Sequence, residues 1–244
     1  MEHQLYIGTS GWHYKHWMGT FYPPDVKPKQ FTDYYTRFFR SVEINNSFYK
    51  LPSAATFANW RKSVPDDFLF AVKASRYITH MKKLKDPQES IGRFFGNANA
   101  LEEKLGPVLF QLPPGWAINL DRLREFLQLL PPYYRYTFEF RHHSWYAPEV
   151  LELLRNFNAA FCIYELEWHQ SPLEVTADFV YVRLHGPEGK YQGSYTDDTL
   201  RWWASNCLAW QKQGLSVYIY FDNDLLGYAA FNARRLQELV QEQR

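Results

Sequence analysis

Eight short runs rich in β-branched, aromatic and leucine residues punctuate the chain: Leu5–Gly8, Ser41–Ile44, Leu69–Ala74, Pro107–Leu112, Tyr136–Phe140, Ala160–Tyr164, Phe179–Leu184 and Leu215–Phe221. Such residues fit a pleated, buried surface, so each run predicts a strand. Most intervals carry apolar residues at helical spacing instead: Phe31, Tyr34, Tyr35 and Phe38; Ile91, Phe94, Phe95, Ala98, Leu101 and Leu105; Leu120, Leu123, Phe126, Leu127 and Leu130; Leu200, Trp203, Cys207 and Trp210. Gly106 and Gly214 follow two of these stripes, where a left-handed glycine closes a helix before the next strand. Strands joined by crossover helices run parallel, and eight of them predict a TIM-like (β/α)8 barrel, with a doubly wound open sheet as the alternative. Glu165–Asp178 breaks the pattern. It is short and contains Ser171-Pro172, so an irregular or missing helix is expected between strands six and seven. The proline pairs Pro23-Pro24, Pro113-Pro114 and Pro131-Pro132 fall at element ends and no low-complexity linker intervenes, which predicts one domain over residues 1–244.

Parallel strands are covered on both faces, so an ionisable residue inside one calls for an explanation. Side chains alternate along a strand. In the third strand Phe70, Val72 and Ala74 form an apolar phase, and Ala71, Lys73 and Ser75 the other, which is assigned to the barrel interior. The same division turns inward Glu43 with Asn45, Gln111, Glu139 with Arg141, Arg183 with His185, and Asp222. All lie near the carboxyl ends of their strands, the face that holds the active site in barrel enzymes. Glu43, Lys73, Glu139, His185 and Asp222 are therefore the candidates for acid/base work. Trp12, Asn45, Gln111, Arg141, Arg183, Tyr195 and Asn223 are the candidates for holding a ligand. A plainer reading stays open, in which Glu43, Lys73, Glu139 and Arg183 form a neutralised ion-pair plug.

The loop Gly186–Tyr195 carries three glycines that permit close backbone approach to a ligand, and together with Arg183 it is the expected phosphate or carboxylate site. Trp12, Tyr14, Trp17, Tyr49, Trp145, Trp168 and Tyr195 follow strand ends, where aromatic faces can stack on a sugar or base or merely roof the barrel. Carboxylates and imidazole also suit a divalent metal, but Lys73, Arg141 and Arg183 share the same phase and compete with it, so no metal and no other cofactor is expected. Cys162 is expected to point to the helix-packed face and Cys207 into a helical core stripe, neither as a nucleophile.

Composition narrows the partners. The chain has 244 residues, 27 Lys plus Arg against 26 Asp plus Glu, and a net charge of +1. No global field draws it to a polyanion, although Lys82, Lys83 and Lys85 make a local basic run after the third strand. Two distant cysteines imply no disulfide framework. Met1–Gln4 leads straight into an apolar strand, and no run reaches the roughly 18 apolar residues of a membrane span. The expectation is a cytoplasmic chain without a membrane partner. No G-x-S-x-G, H-E-x-x-H, G-x-G-x-x-G or GK[ST] motif appears, which withdraws support from lipase-like, zincin, Rossmann and P-loop chemistry.

Several separated motifs together resemble the YecE-like family, also called domain of unknown function 72. They are Gly8-Thr9-Ser10-Gly11-Trp12, Glu43–Tyr49, Phe70–Ser75 with Thr79-His80, Leu105–Pro114, Glu139-Phe140-Arg141 with Ser144-Trp145, Ala177–Gly186, and Asp222-Asn223-Asp224 with Asn232-Ala233. The resemblance covers nearly the whole chain and implies a TIM-like barrel; it brings no reaction with it. Where the family pattern leads one to expect an aspartate at the end of the sixth strand, this chain has Glu165.

The leading expectation is an enzyme, or a binder descended from one, acting on a small polar anion such as a sugar phosphate or nucleotide fragment, with acid/base chemistry (hydrolase, lyase or isomerase) favoured over redox. A nuclease-like barrel that processes nucleic acid is one alternative. A non-enzymatic interaction protein with a structural plug and an aromatic docking rim is another.

Overall fold

A computed structural model describes residues 4–244, so the sequence expectation for the first three residues lies outside the described chain. The parallel strands are β1 (Leu5–Thr9), β2 (Ser41–Ile44), β3 (Leu69–Lys73), β4 (Leu105–Leu112), β5 (Tyr136–Phe140) and β6 (Ala160–Leu166), followed, after a two-residue β7 (His169–Gln170), by β8 (Phe179–Leu184) and β9 (Ser216–Phe221). Helices α1 (Phe31–Tyr35), α2 (Ala54–Lys62), α3 (Gln88–Ala98), α4 (Leu120–Leu129), α5 (Pro148–Asn156), α6 (Asp197–Lys212) and α7 (Tyr228–Glu242) alternate with them. The strands follow one another in the order β1-β9-β8-β6-β5-β4-β3-β2, and a parallel bridge from Ser10 to Glu43 joins the ends of β1 and β2. This is the TIM-like α/β barrel fold that the alternation predicts. Among the described residues no helix is long and apolar enough to cross a membrane.

Two compact units make up the chain. The first takes in residues up to Glu43, Ile163–Leu173 and Asp178–Arg244; the second comprises Ile44–Cys162 and Glu174–Ala177. In the first, β1, β9 and β8 pair in continuous register, with Gly8 opposite Tyr220 and Tyr220 opposite Arg183. The stripe Leu200, Trp203, Ala204, Cys207 and Trp210 of α6 is buried, Thr196 caps its start by accepting from Thr199 N, and Gly214 at φ +82° closes its end. In the second unit, β4 and β5 register Gln111 beside Glu139. There α3 buries Ile91, Phe94, Phe95 and Ala98, and α4 buries Leu123, Phe126 and Leu127.

As the sequence predicts, Glu165–Asp178 holds no helix. β6 instead runs on to Leu166 and turns through Glu167 and Trp168, both at positive φ (49° and 69°), into β7, antiparallel to β6. Side chains then meet the strand amides that a ladder leaves over: Ser171 Oγ accepts from Tyr164 N at 2.9 Å, and Thr176 Oγ1 accepts from Phe161 N at 2.7 Å. Two expectations need correction. Gly106 closes no helix: it lies within β4 without positive φ, where a Cβ would come to 3.2 Å from the Phe70 carbonyl oxygen. The regular part of α1 stops at Tyr35, so Phe38 of its stripe follows the helix.

Candidate functional site

Within the first unit the carboxyl ends of β2, β8 and β9 bring Glu43, Arg183, His185 and Asp222 together, as the inward phase requires. Arg183 grips Glu43 side-on, Nε to Oε2 at 3.0 Å and Nη2 to Oε1 at 2.8 Å. Its Nη2 also reaches Asp222 Oδ2 at 3.0 Å and Ser10 Oγ at 3.3 Å, and its Nη1 lies 3.2 Å from His185 Nε2. A guanidinium accepts no hydrogen bond, so Nε2 must accept, and the ring proton sits on Nδ1. Nδ1 faces Asp222 Oδ2 at 2.9 Å, at ion-pair distance though off hydrogen-bond alignment. Glu43 further accepts from Tyr181 Oη at 2.7 Å and from the Ser10 hydroxyl. Glu43, Arg183 and His185 have no solvent exposure and Asp222 has 3%, so these groups meet protein partners rather than bulk water. Burial, then the charge of Glu43, pushes the Tyr181 phenol far up, keeping it a donor.

Above this cluster in sequence, Asp224 behaves differently. Burial, then the negative charge of Asp222, raises its carboxyl to about 6, and His16 stands 3.5 Å from it. The same two causes, burial first, raise the Tyr14 phenol, whose Oη donates to the Ser10 carbonyl at 2.7 Å.

The second unit gathers Gln111, Glu139 and Arg141. Gln111 Nε2 donates to Glu139 Oε1 at 2.8 Å, and Arg141 Nε donates to the same oxygen. The Cys162 thiol lies 3.9 Å from Glu139 Oε2, which corrects the expectation that it points to the helix-packed face. The register decides it: Thr137 and Phe138 pair with Ala160 and Phe161, so Cys162 follows alongside Glu139. Lys73 is placed by the Phe48 ring, 4.2 Å from its Nζ. After β3 a π-helical turn, Tyr77–Met81, carries His80, whose Nδ1 is 2.9 Å from Thr79 Oγ1 and whose ring meets Phe48 edge-on. His80 is lowered to about 4, by burial first and then by Lys73, Arg76 and Arg141, with Glu139 alone among the named charges opposing. Asn45 has its Oδ1 buried without a hydrogen-bond partner.

Several predicted ligand residues are committed to the fold. Trp12 is buried and its Nε1 donates to Thr32 Oγ1 at 3.0 Å. Tyr195 Oη accepts from Gly186 N at 3.0 Å, while Asn223 Nδ2 donates to Gly193 O and to Asn232 Oδ1, each at 2.8 Å. The Gly186–Tyr195 loop folds upon itself, Tyr191 N bonding to His185 O and Gln192 N to Gly189 O. Of the aromatic rim, Trp17 and Trp145 are buried whereas Tyr49 and Trp168 are exposed. Among the described residues no three His, Cys, Asp or Glu side chains are arranged to hold a metal ion. Sequence reasoning did not select Ser10, Tyr181, Asp224 or His80. All four stand within motifs that carry the family resemblance, Gly8–Trp12, Ala177–Gly186, Asp222-Asn223-Asp224 and Thr79-His80, and that membership is their one visible signal.

The family model described as Protein of unknown function DUF72 matches residues 6–244. The chain belongs to this family. UPF0759 protein YunF of Bacillus subtilis (strain 168) is 26% identical over 97% of this chain and 94% of its own length. UPF0759 protein YecE of Escherichia coli (strain K12) is 28% identical over 59% of this chain and 50% of its own. Among solved structures, a DUF72 family protein from Thermotoga maritima MSB8 aligns over 98% of this chain and all of that one, with 31% identity and a TM-score of 0.88. A second DUF72 protein, from Enterococcus faecalis V583, shares 19% identity with a TM-score of 0.81 and supports the fold alone.

Proposed function

We propose that this DUF72 barrel binds a small polar anion, such as a sugar phosphate or nucleotide fragment, beside His80 and carries out proton transfer on it. The observation that carries the reading is the balance of charges acting on His80, where Lys73, Arg76 and Arg141 outweigh the carboxylate of Glu139 that pairs with Arg141. A cation surplus in a partly desolvated place attracts an anion more strongly than scattered surface lysines, because screening is weaker there. Arg183 is a poorer candidate than its strand position suggests, since its Nε and both terminal nitrogens already face Glu43, Asp222, Ser10 and His185.

The same charges tie binding to chemistry. An imidazole held near 4 is a weak base at neutral pH. A dianion placed among Lys73, Arg76 and Arg141 offsets the cations that depress His80 and raises it toward neutrality. His80 thus becomes a competent proton acceptor when ligand is bound. Gln111 and Arg141 hold the Glu139 carboxylate in position, and the unpartnered Asn45 Oδ1 is an acceptor for a ligand hydroxyl.

Calorimetric titration of a hexose phosphate into wild type and Arg76→Ala tests the reading. Arg76 is exposed, so its loss leaves the fold intact. Removing one charge-assisted contact weakens binding by about tenfold or more. Equal affinity in the two proteins, or no binding by wild type at millimolar ligand, refutes it.

A further inference from the structure

We propose that the second unit carries a binding site for an α-amino acid with an apolar side chain, in a cavity between the π-helical turn after β3 and the first turns of α3. The cavity measures about 340 Å3, within the roughly 300–1,000 Å3 of small-molecule sites. Four charged side chains line it, Lys82 and Arg93 against Asp86 and Glu89, and Leu51, Ile78 and Phe94 supply apolar surface. A ligand of one sign meets repulsion from two of the four charges. A zwitterion answers both signs.

Backbone geometry sets these groups around the cavity. A π turn bonds five residues back: Lys82 N donates to the Tyr77 carbonyl at 2.9 Å, and the Lys82 Nζ stands 5.8 Å from the Tyr77 ring centroid. Lys83, Leu84 and Asp86 then take φ of 47°, 62° and 42°, a conformation that non-glycine residues keep only where their surroundings hold them. Leu84 is buried and its amide donates to the Ile78 carbonyl at 2.9 Å, which ties the segment bearing Lys82 and Asp86 to the turn. On α3, residues four apart share a row, so Glu89 stands beside Arg93 and Ser90 beside Phe94. Ser75 Oγ accepts from Tyr77 N at 3.2 Å and keeps its proton to give; Ser90 Oγ donates to the Pro87 carbonyl at 2.9 Å and keeps lone pairs to accept. The Arg93 fork with the Ser75 hydroxyl suits a carboxylate, and Asp86, Glu89 and Ser90 Oγ suit an ammonium.

The plainer explanation is a set of solvated surface charges. Glu89, in the first turn of α3, complements the helix dipole, but a helix start carries only about half a positive charge and answers one acid at most. Asp86 and both cations are left over. Among the described residues none of the four makes an ion pair, even though Glu89 and Arg93 have the spacing of a helix surface pair. Such a pair is worth about twofold in an equilibrium, too little to keep out a ligand that engages both groups. The apolar surface of Leu51, Ile78 and Phe94 then selects a ligand whose two charges sit on an aliphatic body. Lys73, Arg76, His80, Glu139 and Arg141 do not line this cavity, so the proposal stands without the anion site beside His80.

The test is calorimetric titration of L-leucine, N-acetyl-L-leucine, L-leucinamide and glycine into wild type, Arg93→Gln, Glu89→Gln and Arg76→Ala, each first shown to melt as a folded protein. Arg93 and Glu89 are exposed, so both variants retain the fold, and the ligand series on wild type needs no variant. Leucine is expected to bind wild type and Arg76→Ala alike. The other three lack the ammonium, the carboxylate or the apolar side chain, and each is expected to bind wild type at least about tenfold more weakly. Arg93→Gln should weaken leucine by about tenfold and narrow its advantage over leucinamide; Glu89→Gln should weaken it likewise and narrow its advantage over N-acetyl-leucine. No binding of leucine by wild type at millimolar concentration, equal affinity for any of the three analogues, unchanged leucine binding in either cavity variant, or its loss in Arg76→Ala overturns the proposal.

Discussion

Replacing Arg183 by methionine tests whether the buried cluster of the first unit holds the fold together. The substitution keeps an unbranched apolar stem and removes a guanidinium that makes two hydrogen bonds to Glu43, at 3.0 and 2.8 Å, and one to Asp222, at 3.0 Å. Glu43 is fully buried and Asp222 nearly so, and neither can reach bulk water to regain what it loses. Tyr181 and Ser10 still donate to Glu43, which softens the loss without supplying a positive charge. Removing one partner of such a buried set costs about 3–5 kcal/mol. For a domain of this size that is a fall in Tm of about 6–20 °C. Urea denaturation of wild type, Arg183→Met, Glu43→Gln and the double variant separates the pairwise part. Neutralising Glu43 removes the charge that Arg183→Met strands, so the double variant loses less than the sum of the singles by at least about 1.5 kcal/mol. A loss below about 1 kcal/mol for Arg183→Met, or strict additivity, refutes the view of this cluster as a mutually dependent ion network.

Asp224 is lifted to about 6 from an ordinary 3.8, so between those values the unfolded chain releases a proton that the folded chain keeps, and stability falls as pH rises through that window. Urea titrations should find Asp224→Asn more stable than wild type at pH 8 and nearly equal to it at pH 4; a constant difference rejects the assignment. Gly186 sits at φ +113°, and a Cβ there would come to 2.1 Å from the Gln192 carbonyl oxygen. Gly186→Ala should therefore cost about 1–3 kcal/mol by thermal melting, and an unchanged Tm would show that the loop yields. Trp168 is 81% exposed at the β6–β7 turn, so Trp168→Ala should leave stability within about 0.5 kcal/mol, and a larger loss would mean that the indole packs against the chain.

The sequence was a good guide to what periodicity controls. All eight parallel strands and the missing helix could be read from apolar runs, helical stripes and Pro172, because each is a local consequence of residue type. The inward phase of Glu43, Arg183 and Asp222 was legible too, since charges on otherwise apolar strands have one place to go. Partners were not. Tyr181, in the run Phe179–Leu184, reads as ordinary core, yet its hydroxyl lies on Glu43. The phase of Cys162 depended on strand register, which alternation within one strand does not contain. Arg183 and Arg141 look alike on their strands. Arg183 meets both Glu43 and Asp222, while Arg141 meets Glu139 and acts on His80 together with Lys73 and Arg76. Which cation remains in surplus is a property of the assembled unit.

The claim that a small anion binds beside His80 is tested most directly by the imidazole itself. Proton NMR titration of the His80 ring, assigned through His80→Gln, should give a pKa of about 4 without ligand. With saturating hexose phosphate it should rise by about one unit or more, because the dianion offsets Lys73, Arg76 and Arg141. A His80 titration that is unchanged at millimolar hexose phosphate contradicts the account.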